Sequence, residues 1–268
     1  MLSALVLSLS ASLPLLMAPQ VRAPQYRPTR VSASNATAQP VRLTAEDKVQ
    51  LGATYYAPKK LNQKNPAVLL VHDAGQDASQ MTDMAIAWQK RGFAVLALDL
   101  RGHGSSRSEL CNWKTSNPKQ RDVLWAMAKR DLSAASAYLK GRREVHHSRI
   151  IAAGKGAAAG LVLAQGIDDP DLAGVVLISP PSGEDPTYGF NLSKQLRDLE
   201  GLPTLIVCGR EGSKNCTVLA TQAHEANDGY KYITVTPLRC EAKKLLQDRR
   251  LHGSLTTWTK KLFTSSDS

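Results

Sequence analysis

The stretch Arg149-Ile150-Ile151-Ala152-Ala153-Gly154-Lys155-Gly156-Ala157-Ala158-Ala159-Gly160 changes its period halfway. Residues 149–153 form a short apolar run bounded by glycine, as a strand buried on both faces requires. Residues 157–165 then read as a helix. The turn between them is built from glycine and alanine, which permit positive φ and close backbone approach. Ala159 and Gly160 let the helix pack closely on the sheet that the strand joins. A strand that turns this sharply into a helix is a piece of α/β architecture.

The same alternation repeats on both sides of this stretch. Val41–Thr44 and Val49–Tyr56 read as a leading antiparallel pair. Apolar runs follow at Pro66–His72, Phe93–Leu100, Leu172–Ser179, Pro203–Cys208 and Tyr230–Thr236. Amphipathic stretches separate them at Ala78–Arg91, Pro118–Lys140, Leu192–Leu199, Thr217–Asn227 and Leu251–Phe263. Strand and helix in alternation predict one mostly parallel sheet of about eight strands, covered by helices on both faces with little or no lid. Ligands of such sheets bind at the carboxyl ends of the strands. Only residues 102–117 and 180–191 are generous loops.

Two segments at those carboxyl ends carry motifs. Val71-His72-Asp73-Ala74-Gly75 follows the first buried strand, and Asp99-Leu100-Arg101-Gly102-His103-Gly104-Ser105-Ser106 follows the next. In this order and spacing the chain resembles the α/β-hydrolase superfamily, in its dienelactone-hydrolase and serine-aminopeptidase-like branches, over residues 41–263. The first segment is similar to the family's His-Gly-x-Gly oxyanion loop, with Asp73 in place of the first glycine. The second is similar to its Asp-x-Arg-Gly-x-Gly-x-Ser turn. The resemblance implies a nucleophile elbow (small residue, any, nucleophile, any, small residue) at Gly154–Ala158. Its centre is Gly156, which has no side chain to attack a carbonyl. Glycine keeps the turn without the strain of order 1–3 kcal/mol that a side chain there would carry. The amides of Ala74 and Ala157 remain as an anion-binding pair at a helix N-terminus, with Lys155 nearby. His72, Ala74, Lys155, Gly156 and Ala157 are therefore the candidate site for a small anionic or acyl ligand. The same residues also fit an empty, vestigial pocket.

The remaining triad members are weakly represented. Glu211 follows the strand after which the family carries its acid, and Glu241 stands near the expected base. His252 lies further on, at the start of the final helix, where a capping or surface role is the alternative. His72 and His103 read as holding loops. An active ester or peptide hydrolase with displaced residues would have to use Ser105 or Ser182 with His252 and either Glu211 or Asp185. The leading expectation is a pseudoenzyme with no catalytic residue at the elbow and no cofactor.

Composition sets the outer limits. The 268 residues carry 34 Lys and Arg against 23 Asp and Glu, a formal charge of +11. Such a balance favours an anionic surface or polymer as a partner. Basic runs over 119–143 and 239–261 are either solvated helix faces or that contact surface. Aromatic residues are only 5% of the chain, and none is spaced among the basic residues as stacking platforms for single-stranded nucleic acid require. No sequence-specific nucleic-acid binding is expected. Residues 2–18 are apolar and uncharged, as in an export signal, and residues 24–40 read as a linker. The expectation is a secreted or periplasmic protein, with an uncleaved membrane tether as the alternative. Four cysteines, Cys111, Cys208, Cys216 and Cys240, include no Cys-x-x-Cys pair, so no metal site is expected. A Cys216–Cys240 bridge is the pairing considered.

Overall fold

The computed structural model describes residues 38–182, 188–199, 201–226, 233–238 and 241–264. Its eight strands form one sheet in the order β1-β2-β4-β3-β5-β6-β7-β8. These are β1 (Ala38–Thr44), β2 (Gln50–Tyr56), β3 (Asn65–Val71), β4 (Ala94–Leu98), β5 (Val145–Lys155), β6 (Leu172–Ile178), β7 (Thr204–Cys208) and β8 (Ile233–Pro237). β1 pairs with β2, and β2 with β4, antiparallel. From β4 to β8 all pairings are parallel. The expected α/β-hydrolase architecture is thus present.

The helices are α1 (Thr82–Lys90), α2 (Pro118–Met127), α3 (Lys129–Lys140), α4 (Ala158–Asp168), α5 (Leu192–Asp198), α6 (Ser213–Ala226) and α7 (Arg249–Thr264). They cover both faces, and β3 shows why. Ala67, Leu69 and Val71 join the core of one face with Leu96, Trp125, Leu132 and Leu161. Val68 and Leu70 join the other with Met81, Met84, Trp88 and Leu255. Residues of a strand point alternately to the two sides, so a strand covered on both sides must be apolar throughout.

Three expectations are corrected. The single stretch Pro118–Lys140 is two helices that meet at Ala128 (φ −65°, ψ −12°), and no glycine or proline marks the break. Asn117 and Gln120 form a capping box at the start of the first, with Pro118 in its first turn. Ala38–Pro40, expected in a linker, open β1. Cys216 is bonded to Cys208 rather than to Cys240, because α6 lays Cys216 back over the end of β7. Cys240, Asp185 and residues 1–37 lie outside the described residues.

Candidate functional site

The carboxyl ends of β3, β4, β5 and β6 converge on the turn between β5 and α4. Gly156 stands at its apex with φ +58°, a left-handed conformation that L side chains rarely adopt. Its amide donates to the Ile178 carbonyl at 2.9 Å, tying the turn to the end of β6. Gly154 is needed for a different reason. A Cβ there would strike the backbone of Ala158 and the side chain of Val162, so α4 could not start where it does.

Helix α4 begins with no side-chain cap of its own, leaving backbone donors to be satisfied from elsewhere. Asp73, at the end of β3, meets one of them. Its Oδ1 accepts from the Ala74 amide at 2.8 Å and from the Ala157 amide at 2.9 Å. Lys155 Nζ stands 3.7 Å from Oδ2, with Asp73 31% and Lys155 17% exposed. A carboxylate near the positive end of a helix dipole and beside an ammonium is well placed. The two amides that the sequence offered to an anionic ligand thus already have an acceptor in the chain's own Asp73 carboxylate. A Cβ built on Gly156 would overlap that carboxylate. Asp73 thus fills the space that a side chain at position 156 would need.

The two histidines beside the site are held by backbone. His72 Nε2 accepts from the Leu100 amide at 3.1 Å, so its proton is on Nδ1, which donates to the Asp73 carbonyl at 2.8 Å. His103 Nε2 accepts from the Gly75 amide at 3.1 Å, and Nδ1 donates to the Arg101 carbonyl at 2.9 Å. Burial holds His72 below the usual histidine range. Burial, with His72 nearby, brings His103 down to about 4. Both imidazoles are neutral, and both lone pairs are taken by backbone amides.

Trp113 closes the other side. It packs on His103 with ring centroids 4.7 Å apart and contacts Trp125 and Tyr188. Its indole also lies against Gly75. Below this layer Arg101 pairs with Asp131 and Asp47 in a buried network. At the end of β6, Ser179 has φ +46°, and its Oγ has no hydrogen-bond partner among the described residues.

The other candidates are dispersed. Ser105 Oγ donates to Asp99 Oδ2 at 2.7 Å, and Asp99 also receives the Ala78 and Ser105 amides. Ser182 is exposed in the loop after β6. Glu211 is exposed between β7 and α6. Glu241 lies 3.8 Å from Lys244. His252 lines a crevice with Trp88, Arg91 and Phe93. Phe93 directly precedes β4, so His252 sits at the amino end of the sheet, opposite Gly156. Sequence reasoning finds Asp73 only as a missing glycine, and it passes over Trp113 and Ser179. Asp73 and Gly156 are separately legible; their contact is not.

Comparisons with known proteins agree with this frame. The family model of serine aminopeptidase, S33, matches residues 62–207, a little over half of the chain. An esterase of Pyrococcus furiosus superposes with TM-score 0.66 at 17% identity, covering 88% of this chain and 97% of its own. An α/β hydrolase from a Penicillium species gives TM-score 0.62 at 13% identity, covering 84% and 98%. The dienelactone hydrolase of Anabaena variabilis gives 0.59 at 15%, covering 87% and 99%. None of the curated proteins matches the chain. The chain belongs to the serine aminopeptidase (S33) family of the α/β-hydrolase superfamily.

Proposed function

We propose that this protein is a non-catalytic member of its family, acting by binding rather than by hydrolysis. One observation carries this. The Asp73 carboxylate accepts both amides, Ala74 and Ala157, that an oxyanion would need. Gly156, at the nucleophile position, offers no attacking atom. Losing the nucleophile alone costs roughly six orders of magnitude in rate, and the neighbouring imidazoles have no lone pair to accept a proton. A small anionic or acyl ligand would reach these amides only by displacing Asp73, so the partner surface belongs elsewhere on the molecule. Residues 2–18 and the Cys208–Cys216 bridge support a place outside the cytoplasm, where disulfides persist.

The test is a fluorophosphonate probe and short nitrophenyl esters on the purified protein. No adduct and no turnover above buffer are expected. Stoichiometric labelling, or turnover lost on mutation near Gly156, would overturn the proposal.

A further inference from the structure

The end of the sheet opposite Gly156 carries an unassigned surface. Lys59, Lys60, Leu61, Asn62, Gln63 and Lys64 form the loop before β3, and all six are exposed. Leu61 is 60% exposed and stands in sequence between Lys59, Lys60 and Lys64. Arg143, two residues before β5, lines a shallow hollow with Leu61 and Lys64. Asn65 pairs with Val145 in the β3–β5 register, which brings Arg143 to the same edge.

The loop is built rather than loose. The buried Asn65 side chain donates to the carbonyls of Lys60 at 2.6 Å, Gln63 at 2.9 Å and Glu144 at 3.1 Å. The adjacent carboxylate is already used, since Glu144 accepts from Tyr55 and pairs with Arg142. The three basic groups of α3 likewise have acidic partners: Lys129 with Asp168, Arg130 with Asp47, and Lys140 with Asp169 and Asp171. Lys59, Lys60, Lys64 and Arg143 thus stand out as a set of outward cations around one apolar side chain.

The chain also arrives at this end. Ala38 pairs with Tyr56, and Tyr56 with Val95 at the start of β4. The residues preceding Ala38 in sequence include the apolar run 2–18 and Arg22, Arg27 and Arg30, with no acid. We propose that the loop Lys59–Lys64 with Arg143 is a docking surface for an anionic lipid bilayer. The cations meet phosphate headgroups, and Leu61 enters the interface.

The test uses the full chain with vesicles of phosphatidylcholine alone and with added phosphatidylglycerol. Binding to the neutral vesicles reports the apolar segment, and the gain on the anionic ones reports the patch. Each juxtamembrane cation contributes about fivefold, so Lys59→Gln, Lys60→Gln and Lys64→Gln together should remove about a hundredfold of that gain. All three side chains are exposed, and unchanged circular dichroism and Tm verify folding. In a Leu61→Trp variant, brominated lipid should quench the added emission. An undiminished gain in the triple variant, no gain in the parent protein, or added emission that brominated lipid leaves unquenched would overturn the proposal. So would binding to heparin without any gain on anionic vesicles, which would indicate a soluble polyanion.

Discussion

Replacing Gly156 with alanine adds one methyl group and should destabilise the protein out of proportion to its size. The residue sits at φ +58°, where an L side chain costs roughly 1–2 kcal/mol. The new Cβ would also overlap the Asp73 carboxylate, forcing it off the Ala74 and Ala157 amides. Charge-assisted hydrogen bonds of this kind are worth about 1.5–3 kcal/mol when buried. Asp73 is 31% exposed, so about 1 kcal/mol each is the better figure. The total is about 3 kcal/mol, which for a domain of this size lowers Tm by roughly 6–12 °C. Urea unfolding and thermal melts measure it, with Gly92→Ala as a control at another positive φ and with open space around it. A Gly156→Ala variant no less stable than that control would refute the overlap with Asp73.

Three further groups can be tested in the same way. Asp131→Ala leaves the Arg101 guanidinium, 3% exposed, with Asp47 as its remaining carboxylate partner, and should cost about 1.5–3 kcal/mol in urea unfolding for the lost charge-assisted hydrogen bonds. His103 is held near 4 in the folded chain against an ordinary 6.5. The unfolded chain therefore takes up the proton first on acidification. His103's contribution is complete above pH 6.5 and is lost as pH falls toward about 4, a span of about 3 kcal/mol. A His103 NMR titration with its midpoint near 6.5 would contradict this. Peptide mapping should recover Cys208 joined to Cys216, and reduction should cost about 2–3 kcal/mol for so short a loop.

Much of the fold was legible because both-face burial forces continuous apolar runs. Val68–Val71, Ala94–Leu98 and Val175–Ile178 can be read directly in that way. The turn at Gly154–Ala158 was legible because only small residues fit between strand and helix. What the sequence hid depends on contacts between distant segments. Asp73 lies 84 residues from Ala157, and nothing local says that its carboxylate turns toward that amide. Trp113 sits in an unpatterned loop, and its place against Gly75 and His103 is set by tertiary packing. The final helix could be placed from its apolar period. Which end of the sheet His252 would occupy could not, because that depends on how the segment before Arg249 crosses.

Asp73 and the position of a Cβ at residue 156 share one space, and a double-mutant cycle measures their coupling directly. Gly156→Ala should cost about 3 kcal/mol in the parent protein and about 1 kcal/mol in an Asp73→Gly background, where only backbone strain remains. A coupling of about 2 kcal/mol is the expected result. Additive effects of the two substitutions would contradict the placement of the Asp73 carboxylate in the space above residue 156.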